Sequence, residues 1–162
     1  MTTVSTPVPE AGARDVARAG DAALTVIRLF RAMERVDAGL TPQQFRMLKL
    51  IGAGGERSAR LAERLAVAKP TLTSTADGLV AAGLVWRETE MSDRRVVKLR
   101  LTEAGQAALD HANAVYGGWL AELLVAAGEP GQILDDFGLI DQAIDQLRVA
   151  KQTAKAGQSS AG

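Results

Sequence analysis

The sequence predicts a mainly α-helical fold with one small β-hairpin, and three observations carry that prediction. Apolar residues recur at three- and four-residue intervals through most of the 162-residue chain. Leu84 to Thr102 switches to alternation, with Val97, Leu99 and Leu101 separated by Lys98 and Arg100. The balance of 47% hydrophobic, 23% charged and 4% aromatic residues belongs to a compact globular domain.

Taken in order, residues 1–20 and 151–162 are polar, small and aperiodic and read as flexible tails, leaving 21–150 as a single domain. From Asp21, a helix cap, the residues Leu24, Val26, Ile27, Leu29, Phe30, Met33 and Val36 form an apolar stripe that ends near Gly39. Thr41-Pro42-Gln43-Gln44 is a capping box with Pro at the first helical position, and Phe45, Leu48 and Ile51 continue that second helix. Ser58 to Leu65 is a short third helix, and Lys69 to Ala82 a fourth across a tight turn, the spacing of a helix-turn-helix. Leu84, Val85 and Trp86 lead into the hairpin, Trp86 packing its base, and Met91-Ser92-Asp93-Arg94 make its polar turn. Thr102 caps a long helix to about Ala127, with Gly117-Gly118 as a point of bending. Pro130 starts the last helix, where Ile133, Phe137, Ile140, Ile144 and Leu147 step by 4, 3, 4 and 3, a narrow seam for another helix of the same or a second subunit.

Composition excludes much chemistry. Without Cys and with His111 as the sole histidine, disulfides, thiolate zinc sites and thiol redox switches are absent, and no metal or cofactor site is expected. There is no Gly-rich phosphate loop and no convincing pair of carboxylates, so the chain does not read as an enzyme; Asp135-Asp136 is a solvated face. No run approaches the roughly 18 apolar residues of a membrane span and no export signal opens the chain, so the expected location is the cytoplasm, with no membrane partner.

Charge is instructive when divided. The chain is neutral overall, with 19 basic and 19 acidic residues, yet residues 1–56, 57–100 and 101–162 carry +1, +4 and −5. The basic third contains both the helix-turn-helix and the hairpin, so patch and reading head coincide. The second helix of such a motif enters the DNA major groove while a following hairpin reaches along the backbone. Lys69, Thr71, Thr73 and Ser74 lie near the start of that helix, with Leu72, Ala76 and Leu79 facing inward. The hairpin adds Arg87, Arg94, Arg95, Lys98 and Arg100.

These residues resemble the MarR (multiple antibiotic resistance regulator) family of winged helix-turn-helix transcription regulators. The resemblance runs from about Asp21 to Leu147 and is strongest over Asp93-Arg94-Arg95-Val96-Val97-Lys98-Leu99-Arg100-Leu101-Thr102-Glu103-Ala104-Gly105. The family's wing reads Asp-x-Arg, alternating apolar residues, then Leu-Thr-x-x-Gly. Leu61 to Leu65 and Lys69-Pro70-Thr71-Leu72-Thr73 are similar to its reading helices.

The resemblance implies a winged helix-turn-helix head over 41–101 and dimerisation helices over 21–39 and 102–150. The first, fifth and sixth of the six expected helices would interlock two copies, with Val26, Leu29, Met33, Ile133, Phe137, Ile140 and Ile144 at the interface. Double-stranded DNA, as a near-palindromic operator, is the implied partner. Lys69, Pro70, Thr71, Thr73, Ser74, Arg94, Arg95 and Lys98 would touch it, Arg95 entering the minor groove and Asp93 supporting it. Such regulators are usually repressors released by a small aromatic or anionic effector, for which Phe30, Phe45, Leu48, His111 and Tyr116 are the candidate pocket. Apolar residues at this spacing also serve as core, and His111 and Tyr116 as surface or interface groups, so both readings stay open.

Three departures from the pattern stand out: Ala66 where the turn often has Gly, Ala68 where a hydroxyl usually caps the reading helix, and Ser74 where a basic residue is frequent. They leave an alternative, a winged-helix scaffold or architectural DNA-binding protein without an effector.

Overall fold

The computed structural model describes residues 12–54, 61, 64–65, 67–90 and 93–159. Among these run five helices and a two-stranded sheet: α1 (Ala13–Met33), α2 (Pro42–Gly52), α3 (Lys69–Ala81), β1 (Val85–Glu90), β2 (Asp93–Leu101), α4 (Glu103–Ala127) and α5 (Pro130–Ser159). Of the short helix expected over 58–65, Leu61, Arg64 and Leu65 are helical, and the rest lies outside the described residues, as does Ala66. The chain divides into two compact units, one ending at Tyr116 and the other starting at Gly117. The helix α4 runs unbroken through Gly117-Gly118.

Helix runs into both segments expected as tails. The first helix starts at Ala13, capped at Gly12 rather than at Asp21, and ends at Met33 rather than near Gly39. The segment Ala13-Arg14-Asp15-Val16-Ala17-Arg18-Ala19 lacks an apolar stripe but is rich in strong helix formers, and Asp15 suits the positive end of the helix. At the other end α5 continues to Ser159, because Ala150, Lys151, Gln152, Ala154 and Lys155 propagate a helix and no Pro or Gly interrupts them before Gly157.

In the first unit the elements converge on one core. The capping box of α2 forms in full: Gln44 N–H donates to Thr41 Oγ1 at 3.2 Å and Thr41 N–H to Gln44 Oε1 at 2.9 Å. Met47, Leu48 and Ile51 are the buried face of that helix and meet Leu61, Leu65, Leu72, Leu79, Val85 and Leu99. Fully burying a side chain of this size contributes roughly 1.5–3 kcal/mol, so this cluster dominates the stability of the head.

The junction between α3 and the hairpin is tightly specified. Gly83, at φ 71°, ends α3: its N–H donates to Val80 O at 2.9 Å and that of Leu84 to Leu79 O at 3.0 Å. Thr102 closes the far side. Its hydroxyl donates to Gly83 O at 2.7 Å and accepts from Gly105 N–H at 2.9 Å, while its own N–H donates to Leu84 O at 3.1 Å. One threonine thereby caps α4 and ties it to the end of α3, as its place in Leu-Thr-x-x-Gly anticipates.

Gly105 is required there by space. A Cβ on it would lie 1.9 Å from the Leu84 carbonyl oxygen and 2.8 Å from its carbon, both backbone atoms that cannot swing aside. Gly105→Ala is therefore expected to destabilise the fold by roughly 3 kcal/mol. A urea unfolding midpoint equal to the wild type would refute this junction.

Candidate nucleic-acid interface

The reading helix α3 presents two faces. Leu72, Ala76 and Leu79 are buried, while Pro70, Thr71, Thr73, Ser74, Asp77 and Gly78 are exposed. This is the division that the apolar spacing predicts. The N-terminus of α3 has no side-chain cap: Ala68 holds the extended backbone of a capping residue, φ −63° and ψ 146°, with no hydroxyl to use it. The side chain of Lys69 lies outside the described residues.

The hairpin register pairs Val85 with Leu101, Trp86 with Arg100, Arg87 with Leu99, Glu88 with Lys98 and Thr89 with Val97, then shifts so that Glu90 pairs with Asp93. Asp93 and Arg94 thus belong to β2 rather than to a turn; Met91 and Ser92 lie outside the described residues, as do the side chains of Asp93, Arg94 and Arg95.

Cross-strand partners share a face, so Lys98 and Arg100 stand with Trp86 and Glu88, whereas Arg87 stands on the other face with Val85 and Leu99. Trp86 is 46% exposed and does not pack the base of the wing as expected, because the register that buries Val85 turns its neighbour outward.

Two hairpin cations form ion pairs within the protein. Arg87 pairs with Asp77 of α3, joining wing to reading helix, and Arg100 Nε donates to Glu88 Oε2 at 2.8 Å. Pairs this exposed add little stability, about 0–1 kcal/mol each, but they orient the ribbon and lower its net charge.

A further contact escapes sequence reasoning. Arg46 on α2 reaches the residues that precede α3, donating from Nη1 to Leu65 O and from Nη2 to Arg64 O, each at 2.9 Å. No local signal marks it, since its acceptors are backbone carbonyls 18 and 19 residues away.

A cleft of about 410 Å³ opens between the end of α1 and the start of α2, lined by Glu34 to Thr41, Gln44 and Tyr116. Tyr116 forms its buried wall. The phenol donates to Leu40 O at 2.6 Å, and its ring meets Phe45 at 5.2 Å between centroids, tilted by 55°. Burial pushes the Tyr116 phenol above its ordinary range, and the Asp37 carboxylate adds to the shift, so the hydroxyl stays a neutral donor. Arg35 is the one cationic side chain lining the cleft, beside the carboxylates of Glu34 and Asp37.

Of the expected pocket residues, Tyr116 lines the cleft, Phe45 backs it and the exposed His111 ring lies near the lining residue Gly39, but Leu48 is fully buried in the core and Phe30 is exposed. Residue type at helical spacing does not say which side of a helix faces a cleft.

Of the expected interface residues, Val26, Phe137, Ile140 and Ile144 are exposed and Leu29, Met33 and Ile133 half-buried. Among the described residues no helix is long and apolar enough to cross a membrane and no group of three His, Asp or Glu could hold a metal ion.

The helical residues Leu61, Arg64 and Leu65, the helix α3 and the hairpin that follows are the parts of a winged helix-turn-helix protein. The transcriptional regulator BldR from Sulfolobus solfataricus has the same fold, with a TM-score of 0.66 at 24% identity over 79% of this chain and 97% of its own. Streptococcus pneumoniae FabT, solved in complex with DNA, aligns with a TM-score of 0.63 at 18% identity, over 82% and 99%. NadR, solved in complex with 4-hydroxyphenylacetate, aligns with a TM-score of 0.57 at 25% identity, over 86% and 98%. Residues 38–96, from the turn before α2 into the wing, match the model of the MarR family. Over that segment the chain is similar to the MarR family.

The weak points of α3 are open to repair. Ala68→Ser supplies the missing cap, and Gly78→Ala fills open space on an exposed helical site with nothing within 4 Å. Each is expected to stabilise the protein by about 1 kcal/mol, read as a rise in thermal unfolding midpoint. No rise in either variant would mean that α3 is not limited by its own helix energetics.

Proposed function

We propose that this chain is a homodimeric, sequence-specific double-stranded DNA-binding transcription regulator of the cytoplasm, acting as a repressor released by a small molecule. The observation that carries the reading is the exposed face of α3, where Pro70, Thr71, Thr73 and Ser74 stand outward at the start of the helix that the wing flanks. Segment 41–101 is the reading head, with α3 in the major groove. Lys69 and the hydroxyls of Thr71, Thr73 and Ser74 meet base edges and phosphates. Arg95 enters the minor groove with Asp93 as its support, and Arg94 and Lys98 meet the backbone. The FabT–DNA complex supports this use of the fold.

Dimerisation brings two heads to a near-palindrome. Its support is apolar surface that a second copy would cover: Val26, Ile27 and Phe30 on α1, and Phe137, Ile140 and Ile144 on α5, are all exposed. The effector is a small aromatic or anionic molecule, as the NadR complex illustrates, and its site is the cleft beside Tyr116, where Arg35 offers the cation for a carboxylate.

In this reading the cations that each head brings to phosphates are Lys69, Arg94, Arg95 and Lys98. If each neutralises one phosphate, a dimer meets about eight, and log K falls against log salt with a slope near −7. The test is binding to the DNA upstream of its own gene against an unrelated duplex of equal length, across a salt series. Tight, selective, salt-sensitive binding is expected, and Arg95→Ala should cost roughly 1–3 kcal/mol. Equal, weak binding to both duplexes would establish the architectural reading instead, and a slope near zero would exclude DNA binding altogether.

For the effector, 4-hydroxyphenylacetate is the probe. It is expected to bind by calorimetry and to weaken operator binding, with both effects lost in Arg35→Ala. Binding that survives in Arg35→Ala would move the site away from the cleft.

A further inference from the structure

The turn before the reading helix is held from outside. Its two helical residues Arg64 and Leu65 are followed by Val67 and Ala68, which are not helical, and then by α3. Carbonyls at the end of a helix have no partner within it and carry the negative end of its dipole. A side-chain hydroxyl at Ala68 would ordinarily fix the other side of this turn, and there is none. The guanidinium of Arg46 instead takes the Arg64 and Leu65 carbonyls together, with one planar fork and two N–H···O bonds of 2.9 Å.

The arm that carries this fork is firm. Met47 and Leu48, the next two residues of α2, are fully buried, and Phe45, the residue before, meets the ring of Tyr116. Arg46 therefore links a fixed helix to the segment that sets where α3 begins.

We propose that Arg46 is a positioning residue for DNA reading: by clasping the Arg64 and Leu65 carbonyls it holds the segment that leads into the uncapped start of α3 and fixes the register of α3 against the duplex. This rests on the reading of the chain as a sequence-specific DNA-binding protein. The competing role for an exposed arginine is direct phosphate contact, and the two differ in what lysine can replace. Lysine keeps the charge that a phosphate needs and loses the planar fork that two adjacent carbonyls need.

The experiment compares the full-length wild type with Arg46→Lys, Arg46→Met and the double variant Arg46→Lys/Ala68→Ser. Binding to the upstream and unrelated duplexes is measured across a salt series, and hydrogen exchange of the amides of Leu72 to Leu79 is followed without DNA. Arg46→Lys is expected to weaken selective binding about tenfold, to leave the salt slope and the unrelated duplex unchanged, and to speed exchange in α3 by a similar factor. Adding Ala68→Ser is expected to restore part of both losses. The proposal is overturned if Arg46→Lys matches the wild type in exchange and selectivity. It is equally overturned if only Arg46→Met is impaired and its slope falls by about one per head, the mark of a lost phosphate contact. Should the wild type bind both duplexes alike, the DNA reading fails on its own, and the exchange rates still decide whether Arg46 holds α3.

Discussion

The architecture of the head depends on one junction, where backbone meets backbone at Leu84. The carbonyl of that residue accepts from Thr102 N–H and leaves no room for any side chain at position 105. Because Gly83 adopts positive φ to end α3 just before it, three elements meet at this one residue. The end of α3, the first pair of the hairpin and the first turn of α4 are all placed by it. Moving one moves the others, since the groups involved are peptide units rather than rotatable side chains. Leu-Thr-x-x-Gly is thus a steric and hydrogen-bonding specification: Leu101 closes the hairpin, Thr102 caps and ties, and Gly105 gives way.

From that junction the hairpin projects with a defined register, and register decides what its charges can do. Alternation alone places every cation of a ribbon at the surface and adds them together. The pairing divides them, sending Arg87 to Asp77 on α3 and Arg100 to Glu88 across the strand. The net charge of a segment is therefore a poor measure of its grip on a polyanion; what matters is which cations have no internal carboxylate. Asp77–Arg87 has a geometric role as well, because it spans the two elements that in the proposed regulator meet one duplex at a fixed separation.

What the sequence makes legible follows the range of the interaction. The start of α2 is plain because a capping box is written in four consecutive residues, and β2 is plain because Val97, Leu99 and Leu101 alternate. The start of α1 and the end of α5 are hidden because both are carried by helix propensity in Ala-, Lys- and Gln-rich stretches where no apolar period exists. The outward turn of Trp86 depends on pairing with Arg100, 14 residues away, and the Arg46 clasp depends on carbonyls that have no sequence signature. The inner wall of the cleft was partly legible, since Tyr116 and Phe45 were singled out. Phe30, Leu48 and His111 were not separable from them, because an aromatic or apolar residue on a helix carries no mark of which neighbour it will face.

The reading helix itself is the least secure element by local energetics, and this shapes how the head can be controlled. An absent cap and an internal glycine each cost about 1 kcal/mol relative to Ser and Ala, and α3 has only 13 residues, too few to persist alone in water. Its order is borrowed from Leu72, Ala76 and Leu79 in the core, from Asp77–Arg87 at the wing, and from Arg46 at the turn. One of these supports is an exposed ion pair and another the Arg46 fork, so displacements of α2 or the wing are felt directly by α3. The cleft beside Tyr116 lies at the N-terminal end of α2, through Thr41 and Gln44, while Arg46 extends from the next half-turn of the same helix. In the proposed regulator, a ligand that shifts α2 therefore acts on a helix with little stability of its own to resist it.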